Sequence, residues 1–125
     1  MRIAAFAVAA LCLVRPAFGA DPLEAGRAAF KRCANCHQVG ASAHSNFGPQ
    51  LNGIVGRRAG SLPDFAYSPA MKQAGFVWDE QRLAAFIDNP GRVVPGTRMR
   101  FWGFMSDRQI RDLVVYLRAQ PAAPR

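Results

Sequence analysis

Two stretches of this chain, residues 37–67 and 88–105, show neither the alternation of a strand nor the recurrence of a helix. Both are rich in Gly, Pro, Asn and Arg, and Gly and Pro punctuate regular structure rather than extend it. Each runs to about twice the usual connection or more, a length that a compact domain carries only when something organises it. The segments left for regular structure are short, and three or four short helices bury little apolar surface in a domain of about 100 residues. Something other than side chains must occupy the centre.

The helical segments carry clear boundaries. Asp21-Pro22-Leu23-Glu24 reads as an N-cap, a proline at the first helical position and a capping-box glutamate, opening a helix that runs toward Cys33. Ser106-Asp107-Arg108-Gln109 forms a second such box. Behind it, Ile110, Leu113, Val114 and Leu117 recur on one helical face that Pro121 stops. Asp107 in the first turn and Arg118 in the last both suit the helix dipole. Between them, Ser68-Pro69 opens a stub that Gly75 can close. Asp79 caps a helix carrying Leu83, Phe86 and Ile87, which Asn89-Pro90 ends. The expected fold is all-α: three to five short helices with long loops, without internal repeats or low-complexity tracts.

Half of the 125 residues are hydrophobic and 19% are charged, which excludes a disordered chain and fits one domain. The N-terminus stands apart. Arg2 gives a positive start, Ile3 to Val14 is an apolar run too short to span a bilayer, and Ala17-Phe18-Gly19-Ala20 offers small residues for cleavage. Residues 1–19 are therefore expected to be a signal peptide, cut after Gly19 or Ala20, with a single domain over 20–125. The other readings are an uncleaved anchor or a lipoprotein, and Cys12, inside the run and behind bulky Leu11, suits the latter poorly. Cleavage would remove Arg2 and Arg15 of the sixteen basic residues but none of the eight acidic ones. The exported chain would stay strongly basic and keep two cysteines, Cys33 and Cys36.

Those two cysteines supply the missing centre. Cys33-Ala34-Asn35-Cys36-His37 is the C-x-x-C-H signature of c-type haem attachment. Thiols three residues apart at a helix end lie on nearly one face. They can add to the two vinyl groups of a haem edge while the adjacent His37 turns its imidazole to the iron. In an exported protein, covalent capture prevents loss of the cofactor. A zinc site would need four ligands, and only His44 could join the two thiols and His37. A thioredoxin-like pair would need a βαβ context, and a plain Cys33–Cys36 disulfide would leave His37 and the long loops unexplained. Met99, in Pro95-Gly96-Thr97-Arg98-Met99, is the candidate sixth ligand, because the Pro-Gly turn can aim it inward. Met71 and Met105 are the other choices after cleavage.

Beyond the signature, Gly26 and Phe30, Phe47-Gly48-Pro49-Gln50-Leu51-Asn52-Gly53 with Gly56-Arg57, Phe65-Ala66-Tyr67-Ser68, Trp78, Pro95 to Phe101, Leu113 and Tyr116 occur in a telling order and spacing. On these residues the chain resembles the class I cytochromes c of the mitochondrial and photosynthetic-bacterial type over nearly its whole length after residue 20. The resemblance implies one thioether-linked haem c at Cys33 and Cys36, with His37 as proximal and Met99 as distal iron ligand. It implies that the Pro49 carbonyl accepts the other imidazole N–H. Arg57, Tyr67, Ser68, Trp78 and Thr97 would surround the two haem propionates, and Phe101 would cover the group or aid electron passage. It also implies that Gly26 lets the terminal helix cross the first closely, where Leu113 and Tyr116 meet it. Phe86 stands where the family often has a tyrosine, and Met71 where it often has an asparagine. Together these foretell a drier distal pocket.

The function implied is that of a one-electron carrier in the periplasm, not an enzyme, serving a respiratory or photosynthetic chain. The partners implied are a cytochrome bc complex, a terminal oxidase, a reaction centre or a periplasmic dehydrogenase. Lys31, Arg32, Arg92, Arg98 and Arg100 lie near the attachment helix or the Met99 loop and could steer docking onto acidic faces. A monomer with at most peripheral membrane contact is expected. The competing readings are a haem enzyme or gas-binding sensor with a labile Met99, and a nucleic-acid binder. The last rests only on a sequence pI near 10.7 and has no recognition motif behind it.

Overall fold

The computed structural model describes residues 19–122. The expected signal peptide lies outside the described residues except for its last, Gly19. Five helices follow one another: α1 (Pro22–Phe30), α2 (Pro69–Lys72), α3 (Glu80–Asp88), α4 (Pro90–Val93) and α5 (Asp107–Arg118). The described residues hold no strand, only a single antiparallel bridge between Arg58 and Val77. The all-α expectation is met. No described helix is long and apolar enough to cross a membrane.

Each helix begins where a short polar side chain takes up an orphan backbone N–H. Asp21, Ser68, Asp79, Asn89 and Ser106 accept from Leu23, Met71, Arg82, Arg92 and Gln109, each cap stabilising by about 1 kcal/mol. Ser106 and Gln109 form the reciprocal box expected of them. At α1 only half a box exists, because Glu24 points to Arg27 across 3.9 Å instead. The first helix also stops at Phe30, short of Cys33. Tighter turns take over there, with the Cys33 N–H on the Phe30 carbonyl at 2.8 Å. Asn89-Pro90 ends α3 as expected, but it opens α4 in the same step. Extended backbone at Asn89 lets its side chain cap the next turn at 3.1 Å. A four-residue helix is too short to announce itself by periodicity.

The most extensive helix contact is α1 across α5. A Cβ on Gly26 would lie 1.9 Å from the Asp112 carbonyl oxygen, so only a glycine permits this crossing. Phe30 meets Tyr116 with ring centroids 5.6 Å apart, and Leu113 is fully buried. From α3, Leu83, Phe86 and Ile87 join Ile110, Val114 and Leu117; each such buried side chain contributes about 1.5–3 kcal/mol. Trp78 packs edge-on against both Phe76 and Phe86.

The long first loop is fastened to this frame by its backbone. Gly56 donates to the Trp78 carbonyl at 2.7 Å, Trp78 to Arg57 at 2.9 Å, and Gly53 to Gln120 beyond α5 at 2.9 Å. Loop residues thereby hold fixed positions without belonging to any element.

Candidate haem site

Cys33 and Cys36 both carry free thiols, Cys33 half-buried and Cys36 exposed, so the plain disulfide is not formed. Burial pushes the Cys33 thiol up to about 11, with Cys36 adding to the rise. The turn that holds them is closed by Cys36 and His37 donating to the Cys33 carbonyl at 3.0 and 2.9 Å. The following loop folds back onto it, with Gly48 donating to the Cys36 carbonyl and Leu51 to that of Gln38, both at 2.9 Å.

That return brings the Pro49 carbonyl oxygen 2.8 Å from His37 Nδ1. A carbonyl can only accept, so Nδ1 carries the proton and Nε2 presents a lone pair. Burial pulls the imidazole below its usual pKa; the Pro49 bond opposes this and the Arg57 charge reinforces it. A neutral ring of fixed tautomer is the ligating form of histidine. Gly48 makes room for it, since a Cβ there would lie 2.5 Å from His37 Cε1.

Two buried amides secure this return loop, and the sequence reading assigns neither a role of its own. Asn52 Oδ1 accepts from the Gly40 N–H at 2.8 Å and its Nδ2 donates to the Gly40 carbonyl at 2.7 Å. Gln50 Oε1 accepts the Asn52 N–H at 2.7 Å. The buried Asn52 amide is a two-pronged clamp on the Gly40 peptide.

The five donors expected around the propionates have the following places. Arg57 is half-buried and its guanidinium donates to the Gln50 and Asn52 carbonyls at 2.8 and 3.3 Å. Burial lowers its pKa, while Tyr67 and Asp64 oppose this. Tyr67 is half-buried, and burial raises its pKa against the pull of Arg57 and of the Leu62 backbone. Ser68 and Thr97 are buried, and their oxygens accept from the N–H groups of Met71 and Met99. Each hydroxyl still has its own hydrogen to donate. Trp78 is buried against Phe86.

Met99 and Phe101 are half-buried and pack against the core. Arg98 ties their loop to the Ala66 carbonyl at 3.3 Å, and Arg32, next to Cys33, donates to the Gly103 carbonyl. The Met99 loop is thus joined at one end to the Tyr67–Ser68 segment and at the other to the cysteine turn. Met71 and Phe86 are buried apolar residues.

The donor set fits a haem. Two free thiols and an imidazole with an available Nε2 stand on one turn, a thioether is held in a strapped loop, and cationic and hydroxyl donors remain for carboxylates. Zinc fits less well. His44 is engaged with Gln38 and Ser42 in an exposed loop, and the described residues hold no group of three or more His, Cys, Asp or Glu placed to bind a metal.

The described ion pairs are Glu24–Arg27, Asp79–Arg82, Asp112–Arg108 and Glu80–Arg118. Lys31, Arg32, Arg92, Arg98 and Arg100 enter none of them.

The sequence profile of the cytochrome c family matches residues 23–121. The chain is 45% identical over 100 residues to the cytochrome c2 of Rhodomicrobium vannielii, covering 80% of this chain and 79% of that one. It is 42% identical over 95 residues to the cytochrome c-550 of Nitrobacter winogradskyi, covering 76% and 87%. Among solved structures, cytochrome cH from Methylobacterium extorquens superposes with a TM-score of 0.70 at 35% identity, covering 76% of this chain and 95% of that one.

Proposed function

The chain belongs to the cytochrome c family, and on that premise we propose that it carries single electrons between redox partners through one haem c. Cys33 and Cys36 hold the haem by thioether links, and His37 and Met99 ligate its iron. When bound, that group supplies a one-electron couple whose potential is raised by a thioether ligand. The protein's part is to hold both ligands so firmly that neither moves when the charge changes. The His37–Pro49 bond at 2.8 Å carries this reading above all, because it fixes the tautomer that leaves Nε2 for metal. Arg98 and Arg32 brace the Met99 loop from both sides, which would hold the Met99 thioether on the iron against small molecules. Arg57, Ser68, Trp78 and Thr97 have donors for the propionates, whose burial would otherwise cost several kcal/mol each. Tyr67 joins them with the hydrogen of its own hydroxyl.

The domain is residues 20–125, exported to the periplasm after loss of the signal peptide, and acts as a carrier with no catalytic residue. Its donors and acceptors belong to the class of bc complexes, terminal oxidases, reaction centres and periplasmic dehydrogenases. Lys31, Arg32, Arg92, Arg98 and Arg100 steer their acidic faces into contact.

A redox titration combined with carbon monoxide tests the proposal. The account expects a one-electron reversible couple and no carbon monoxide uptake by the reduced protein at neutral pH. Ready uptake would mean an open or labile sixth position and would move the protein to the enzymes or gas sensors.

A further inference from the structure

Beyond Met99 the chain does something that neither the core nor the iron ligands require. Trp102 and Phe104 are 74% and 92% exposed, in a loop anchored at both ends. The backbone between them explains how. Phe101 folds back over Gly103 so closely that a Cβ there would lie 1.9 Å from the ring, and Arg32 holds the Gly103 carbonyl. Phe104 then takes a φ of 44°, a left-handed conformation that a bulky residue adopts only when its surroundings impose it. With Phe101 folded inward, the two neighbouring rings are turned out to solvent. Two shallow clefts of about 210 and 220 Å³ flank them, sharing Asp88, Phe101 and Trp102 in their walls.

The position matters as much as the exposure. The bond from Arg32 to Gly103 sets the loop against the turn that carries Cys33 and the exposed Cys36, so a partner seated on the rings reaches the edge of the redox site. Arg98 and Arg100 lie beside them in the chain, and with Arg32 and Lys31 they enter none of the ion pairs among the described residues. Trp and Arg are the residues that dominate protein interface energetics, and a desolvated aromatic anchor controls how slowly a complex comes apart. Charges at the rim govern how fast it forms.

We propose that Trp102 and Phe104 are the apolar anchor of the docking surface, fitting a redox protein that presents an apolar recess inside an acidic rim. The inference rests on the carrier function above and goes further. It divides the surface into arginines that set the encounter rate and two rings that set the lifetime of the complex.

The test offers the reduced holo-protein to a purified bacterial terminal oxidase and follows oxidation against protein concentration and salt. The W102A/F104A double variant should raise KM at least tenfold. Its midpoint potential, its oxidation by ferricyanide and the salt dependence of its rate should match the wild type. Trp102→Phe should recover most of the loss. Replacing Arg92 and Arg100 by Gln should instead flatten the salt dependence. A double variant whose KM stays within twofold of wild type overturns the anchor. So does a wild type that ferricyanide oxidises and the oxidase does not. Sedimentation with phosphatidylglycerol vesicles that the double variant loses would reassign the rings to a lipid surface. A wild type that neither oxidant touches would remove the carrier function itself.

Discussion

Replacing Gly48 by alanine puts a methyl group against the imidazole that the whole site depends on. The added Cβ would lie 2.5 Å from His37 Cε1, 2.7 Å from Nδ1 and 3.0 Å from Nε2, whereas ordinary contact begins near 3.4 Å. The ring or its loop must give by most of an ångström. The His37 Nδ1 to Pro49 distance, 2.8 Å in the native protein, then opens toward the limit at which a hydrogen bond fails. Losing that bond costs about 1 kcal/mol and crowding the packed ring about 1–3 kcal/mol more, so the holo-protein should lose about 2–4 kcal/mol in all. An imidazole that no longer donates to a carbonyl is a weaker base and a weaker donor to iron. The oxidised form loses more than the reduced, and the midpoint potential should rise. Denaturant unfolding of the oxidised protein and a redox titration read the two effects separately. Gly91→Ala is the comparison, since its nearest neighbour is an Asn89 oxygen at 4.0 Å; that variant should stay within about 1 kcal/mol of wild type. A Gly48→Ala protein as stable as Gly91→Ala, with an unshifted potential, would refute the clamped imidazole.

Asn52→Ala removes both bonds to Gly40 and strands a peptide group that the loop partly buries, so unfolding should require about 1–3 kcal/mol less; Asn52→Asp, which keeps the acceptor but not the donor, should fall between in the same denaturant series. Residues 88–105 contain arginines and no lysine, and arginine keeps its proton in a protein. Raising the pH of the oxidised protein should therefore produce no lysine-ligated form from this loop. A lysine-ligation signal in electron paramagnetic resonance that disappears on changing a residue between 88 and 105 would contradict this.

How much of the molecule could be read from its sequence depended on how local the responsible physics is. The caps at Asp79 and Ser106, the amphipathic face of α5 and the cysteine–histidine turn are short-range patterns, and they stood out. The helix α4 did not, because four residues between Asn89 and Val94 complete too little of a period to register. The end of α1 at Phe30 leaves no such mark. The run of helix-compatible residues up to Cys33 gives no sign that the chain tightens there to present two thiols. Asn52 and Gln50 have no role legible in the sequence, because the Asn52 amide meets Gly40 and the Gln50 amide meets the Asn52 N–H only once the loop has folded. The aromatic display at Trp102 and Phe104 was equally hidden. Their exposure follows from Phe101 crossing Gly103, a contact between near neighbours that no periodicity encodes. The resemblance to the class I cytochromes c supplied the expected role of Pro49, which no spacing rule would have given, and the structure brings its carbonyl to His37.

The ligand set is the claim on which the rest depends, and the oxidised absorption spectrum tests it in one measurement. The account predicts that the methionine-to-iron charge-transfer band is present in the purified exported protein, survives Met71→Leu and Met105→Leu, and disappears in Met99→Ala while the haem stays covalently attached. A band absent from the native protein, or one that persists without Met99, would contradict it.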